Sequence, residues 1–144
     1  MRMFTVSGVS LALLLASGLV AARAAATASP EEIKQICEKA EKRYQKIYGK
    51  PSAGSDVVIV KMHKFTFCPS NVTVKQGTTV RWVNVDKRTS HSVWFKKKGD
   101  EETSRLFPED KVEMKFDLPL GDYPYLCGPH WESDGMIGTV TVTR

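Results

Sequence analysis

The sequence predicts an all-β Greek-key sandwich or barrel of about eight strands, with one helix added before it. Three observations carry this. From Val57 onward apolar residues alternate with polar ones in short runs, the period of a half-buried strand. Clusters of turn formers separate those runs. Before them, one stretch repeats its apolar residues at helical spacing and then breaks at glycine and proline.

Taken in chain order, the first segment is a targeting signal rather than part of the fold. Arg2 gives a positive start, Phe4 to Val20 is a run of apolar and small residues, and Ala21 to Ala28 is alanine-rich with an A-x-A triplet at Ala24–Ala26. That is the layout of a cleavable secretory signal peptide, assigned to residues 1–26. The run is short for a membrane span, no charged stop follows it, and nothing later is long and apolar enough to insert. Its removal takes away Arg2 and Arg23 and no acid, which lowers the formal charge of +5 by two. A domain so mildly basic is not a nucleic-acid binder by composition. The basic run Lys96-Lys97-Lys98 is followed by Asp100, Glu101 and Glu102 and reads as a solvated loop.

The helix comes next, in residues 29–48. Ser29 can cap it, Pro30 suits its first position, and Glu32 completes a capping box. Ile33, Ile36, Cys37, Ala40, Tyr44, Ile47 and Tyr48 then share one face, and Gly49 and Pro51 end the element. Residues 50–56 form a linker, and residues 57–144 the β domain. Its strands are marked by Val58, Val60 and Met62, by Val72 and Val74, by Val80 and Trp82, by Val112, Met114 and Phe116, and by Val140 and Val142. On this pattern Phe65, Phe67 and Trp82 face inward, Cys68 faces outward, and His63 faces solvent and is no ligand. Trp94 either packs or shields, and the pattern does not choose between the two.

The chemistry is concentrated in Y-P-Y-L-C-G-P-H-W-E-S-D-G-M, residues 123–136. Cys127, His130 and Met136 bring a thiolate, an imidazole and a thioether onto one loop, a soft set that suits copper better than hard cations. His91, in S-H-S-V, supplies a second imidazole from elsewhere in the chain. Two imidazoles and a thiolate with a weak axial methionine make a blue-copper site, whose compromise geometry changes little between Cu(II) and Cu(I). Pro129 has no N–H to donate towards the Cys127 sulfur, which favours Cu(II) and lowers the potential.

Residues 57–144 resemble the plastocyanin, pseudoazurin and amicyanin group of cupredoxins. The resemblance rests on F-T-F-C-P-S-N-V-T-V-K-Q-G-T-T-V-R-W-V-N-V-D, H-S-V, Y-P-Y-L-C-G-P-H and G-M-I-G-T-V-T-V. It implies one type 1 copper per chain, held by His91, Cys127, His130 and Met136. It also implies an exposed edge of His130 in an apolar patch beside Pro129 and Trp131, serving as an electron port. The five residues between His130 and Met136 make a longer loop than the common pattern, so Glu132 or a backbone carbonyl stands as an alternative axial ligand. With Cys127 on the metal, Cys37 and Cys68 remain to pair in an oxidising compartment.

The function that follows is a soluble, exported, periplasmic electron carrier. It is a monomer and not an enzyme, exchanges electrons with redox proteins such as a cytochrome or an oxidoreductase, and has no nucleic-acid partner. Two other readings use the same ligands. One is a red-copper site like that of nitrosocyanin, open to a small molecule, which the long loop and Glu132 motivate. The other is a copper delivery protein, which would need more methionines and histidines on a flexible surface.

Overall fold

The computed structural model describes residues 28–144. The segment read as a signal peptide lies outside the described residues. Helix α1 is Pro30–Tyr48. The Ser29 hydroxyl accepts from the Glu32 amide at 3.3 Å, and the Glu32 carboxylate accepts from the Ser29 amide at 2.7 Å. The helix ends where Gly49 turns left-handed, at φ 71°.

Seven strands follow among the described residues: β1 Val58–His63, β2 Thr66–Cys68, β3 Asn71–Lys75, β4 Thr79–Asn84, β5 Lys111–Lys115, β6 Gly121–Leu126 and β7 Ile137–Thr143. They form two sheets, ordered β2-β1-β4-β5 and β3-β7-β6. The pairs β1–β4 and β3–β7 are parallel, and the other neighbours are antiparallel. The strand count is one short of the expected eight because residues 91–106 make only isolated bridges. His91 pairs with Leu106, and Trp94 with Leu126. With the added helix, this is the predicted β-sandwich architecture.

Alternation sorts the side chains into two cores. Val60 and Met62 of β1 and Val80 and Trp82 of β4 point between the sheets, where they meet Val72, Val140 and Tyr125 of the opposite sheet. Trp82 is fully buried there, with Phe95 and Tyr125 edge-on to its ring. Ile59 and Val83, of opposite parity, face outward and are covered by α1 through Ala40 and Tyr44. Cys68 points away from the sandwich interior as expected and joins this outer core, where it forms a disulfide with Cys37.

Lys61 shares that outward parity and is almost wholly buried. Its ammonium reaches Glu41 of α1 at 2.9 Å and the Ser52 hydroxyl at 2.9 Å. The outer core is thus closed by an ion pair as well as by apolar contact. On the other sheet, Gly138 lies against Ser70 and Tyr125. A Cβ at that position would sit 2.3 Å from the Ser70 carbonyl oxygen and 2.5 Å from the Tyr125 ring.

Candidate metal centre

Cys127 follows directly on β6, and β7 opens just after Met136, so the segment between them is a closed loop at one end of the sandwich. The Cys127 amide donates to the Met136 carbonyl at 3.0 Å, and the Met136 amide donates to the His130 carbonyl at 3.2 Å. A single helical turn, α2 at Trp131–Asp134, takes up the extra length of the loop. Its Glu132 is exposed.

His91 arrives from the segment after β4. It exchanges backbone hydrogen bonds with Leu106 at 3.0 and 2.8 Å, and three residues on Trp94 exchanges two with Leu126 of β6. These bridges bring the His91 segment against the base of the loop. Ser92 fastens the two together: its amide faces the Cys127 sulfur at 3.4 Å, and its hydroxyl accepts from the Gly128 amide at 2.9 Å.

The outcome is a tight triangle. The Cys127 Sγ lies 3.8 Å from His91 Nδ1 and 3.3 Å from His130 Nδ1. All three donor atoms fall within 4.8 Å of one another. Donors this close leave room between them for one ion at coordination distances of about 2 Å. Two imidazole nitrogens and one sulfur are the donor set that copper prefers, so the residues present fit the metal.

His91 and Cys127 are fully buried, while His130 keeps a partly exposed edge. Met136 is buried in the same core as Cys127 and is tied to both Cys127 and His130 by the backbone bonds above. Among the described residues, the close set of histidine, cysteine and acidic groups is His91, Cys127 and His130, and it does not include Glu132.

Burial pushes the Cys127 thiol above its ordinary pKa, against the opposing pull of the Ser92 bonds. A metal taking the thiolate must therefore displace a proton. Burial, and after it the neighbouring His91, lowers the His130 pKa. That favours the neutral, ligating imidazole.

Two expectations fail next to the site. His63, read as solvent-facing, is buried, and its Nδ1 lies 2.6 Å from the Asp86 carboxylate. Phe65, read as inward, is exposed. The chain reverses between β1 and β2 through Lys64 and Phe65, both left-handed with φ 47° and 59°. This tight turn resets the alternation and swings the Phe65 ring out over His130, with 4.7 Å between ring centroids. Trp94, left open before, is half-buried. Its indole N–H donates to the Asp100 carbonyl at 2.8 Å, and the Lys96 ammonium lies 5.0 Å from its ring and 4.8 Å from that of Trp131.

Sequence reasoning also passed over Asp86. Its second carboxylate oxygen lies 2.8 Å from His91 Nε2 and 3.1 Å from the Lys64 amide. Burial alone would raise the Asp86 pKa, but the bonds from His63 and His91 outweigh it and hold the group far below the ordinary carboxylate range. The one sequence signal for this role is an acid five residues before His91, in D-K-R-T-S-H.

A two-sheet sandwich with a His-Cys-His cluster at one end defines a mononuclear copper protein of the cupredoxin class. Residues 55–143 match the copper binding proteins of the plastocyanin/azurin family, and the chain belongs to that family. It is 34% identical to a plastocyanin of Synechococcus sp. (strain JA-2-3B'a(2-13)) over 105 residues, which cover 62% of this chain and 76% of that protein. It is 34% identical to the amicyanin of Paracoccus versutus over 88 residues, covering 56% and 66%. A crystal structure of amicyanin from the same organism superposes with a TM-score of 0.54 at 30% identity, over 63% of this chain and 85% of that one. Copper is accordingly the metal of this protein, and the family places it outside the enzymes. Helix α1 precedes the matched residues.

Proposed function

We propose that this chain carries single electrons between redox proteins, with His91, Cys127, His130 and Met136 as the residues that would hold a type 1 copper. The observation that carries the reading is the convergence of two imidazoles and a thiol within 4.8 Å at one end of the sandwich. Bound copper would supply the one-electron couple. The protein's part is to hold the donors still. His91 is pinned by β-bridges, Cys127 is fixed between β6 and the Met136 carbonyl, and both are shut away from water. Donors that barely move between oxidation states keep the barrier to electron transfer low. The partly exposed edge of His130, beside Phe65, is the way in and out for the electron. Redox proteins are the partners this reading requires.

Export belongs to the same proposal. The signal-like residues 1–26 support it, and so does the Cys37–Cys68 disulfide, a bond at home in oxidising compartments such as the periplasm. Nothing in the arrangement favours the small-molecule or delivery readings, since Glu132 stands exposed on α2 and the donors sit in a strand-framed loop.

The copper-loaded mature protein tests this. It should show an intense visible thiolate-to-copper band, a narrow parallel hyperfine splitting in EPR and reversible one-electron cycling. His91→Ala and Cys127→Ala should abolish all three. A colourless copper protein, or either variant keeping the parent's colour, would overturn the reading.

A further inference from the structure

Outside the proposed ligands, Asp86 is a tightly held polar group. Its side chain is nearly buried, and both of its oxygens are engaged. A carboxylate can only accept, so the ring nitrogens facing it, His91 Nε2 and His63 Nδ1, both carry hydrogen. For His91 this has a direct effect. With its proton held on Nε2, Nδ1 presents a lone pair towards Cys127 and the metal position, and the ring cannot flip without losing the bond.

Asp86 is itself braced from several sides. His63 holds Oδ1 at 2.6 Å, and the Lys64 amide holds Oδ2 at 3.1 Å. The Asp86 amide donates to the Asn84 side-chain oxygen at 2.9 Å. The Asn84 amide group in turn donates to the carbonyls of Thr89 and Leu106, at 2.7 and 2.9 Å. Leu106 is the residue bridged to His91. The same short segment that delivers His91 therefore also fixes the acid that orients it.

We infer that Asp86 is a positioning residue for the copper ligand His91, that its buried negative charge biases the site towards Cu(II), and that His63 holds it in place. The inference rests on the ligand role proposed for His91. A carboxylate bonded to the far nitrogen of a ligating imidazole fixes its tautomer and makes it a stronger donor. A stronger, effectively more anionic donor stabilises the higher charge, so the reduction potential is held down.

Two variants of the full mature chain test this, with copper bound. Asp86→Asn keeps the shape and an acceptor for His91 but removes the charge. It should shift the ratio of Cu(II) to Cu(I) affinity at least tenfold towards Cu(I), an upward move of about 59 mV for one electron. His63→Phe keeps the charge but frees one side of Asp86. In the Cu(I) form, solvent exchange of the His91 Nε2 proton, followed by NMR, should quicken at least tenfold.

An Asp86→Asn potential within twofold of the parent ratio, or parent-like exchange in His63→Phe, would overturn the inference. If Asp86→Asn does not fold, the exchange experiment decides alone. A parent protein that binds copper without the intense visible band would instead sink the electron-carrier reading, which keeps the two failures apart.

Discussion

At the scale of single residues, the copper end is a set of soft donors whose positions are fixed by backbone bonds. Met136, proposed as the fourth ligand, has a backbone that bonds Cys127 and His130 and a sulfur that a substitution can test separately. Met136→Gln should replace a weak thioether with a harder amide oxygen, which favours Cu(II). The expected outcome is a lower potential and altered visible and EPR spectra, read on the copper-loaded variant. An unchanged spectrum would show that the sulfur is not coordinated. The three tight donors were legible in the sequence because a cysteine and a histidine on one loop allow few other uses, and the H-S-V stretch marked His91 as the second imidazole. Asp86 and His63 were not legible. What brings them together is the parallel register of β1 on β4, in which Met62 stands beside Asn84, so that His63 and, just past the end of β4, Asp86 come within side-chain reach. Such a long-range pairing leaves no mark in the local pattern of either segment. Phe65 was misread for a related reason, since period two holds only until a turn reverses the chain.

At the scale of elements, alternation predicted most strands well because one face of each is dry. It did worse at residues 91–106, where pairing dwindles to isolated bridges, and it could not foresee that β1 and β4 are covered on both faces. The contact of β7 with its surroundings yields a sharp expectation. Gly138 is required by close approach and not by backbone conformation, because a methyl there would press on a backbone carbonyl and a buried ring. Gly138→Ala should therefore destabilise the fold by about 1–3 kcal/mol through overpacking. Chemical denaturation of the metal-free protein measures this, and a loss of a few tenths would mean that β7 shifts freely.

For the whole molecule, the ties between the helix and the sandwich include apolar packing, a hydrogen bond from Arg43 to the Val85 carbonyl, a disulfide and the Glu41–Lys61 ion pair. The last makes stability depend on pH. Burial works to raise the Glu41 pKa, but bonds from Ser52, Lys61 and Gln45 outweigh it and bring the group from 4.5 down to about 2. A carboxyl depressed in this way adds stability that is fully present above 4.5 and disappears as the pH falls through about 2. Glu41→Gln should thus be less stable than the parent at neutral pH, with the gap closing across that acid range. Denaturation midpoints of both metal-free proteins against pH would show it, and a gap independent of pH would count against the ion pair as its source. The sequence announced the helix through its capping box and apolar face, but not which strand face it would cover, since that depends on how the sheets close.

The hairpin tip at Lys64 and Phe65 has one more implication. Two consecutive side-chain-bearing residues there adopt the left-handed conformation, which a Cβ disfavours, so the pairing of His63 with Thr66 must hold the turn closed. That turn places the exposed Phe65 ring beside the ring of His130. Any visitor that meets the open edge of His130 therefore meets an aromatic surface with it.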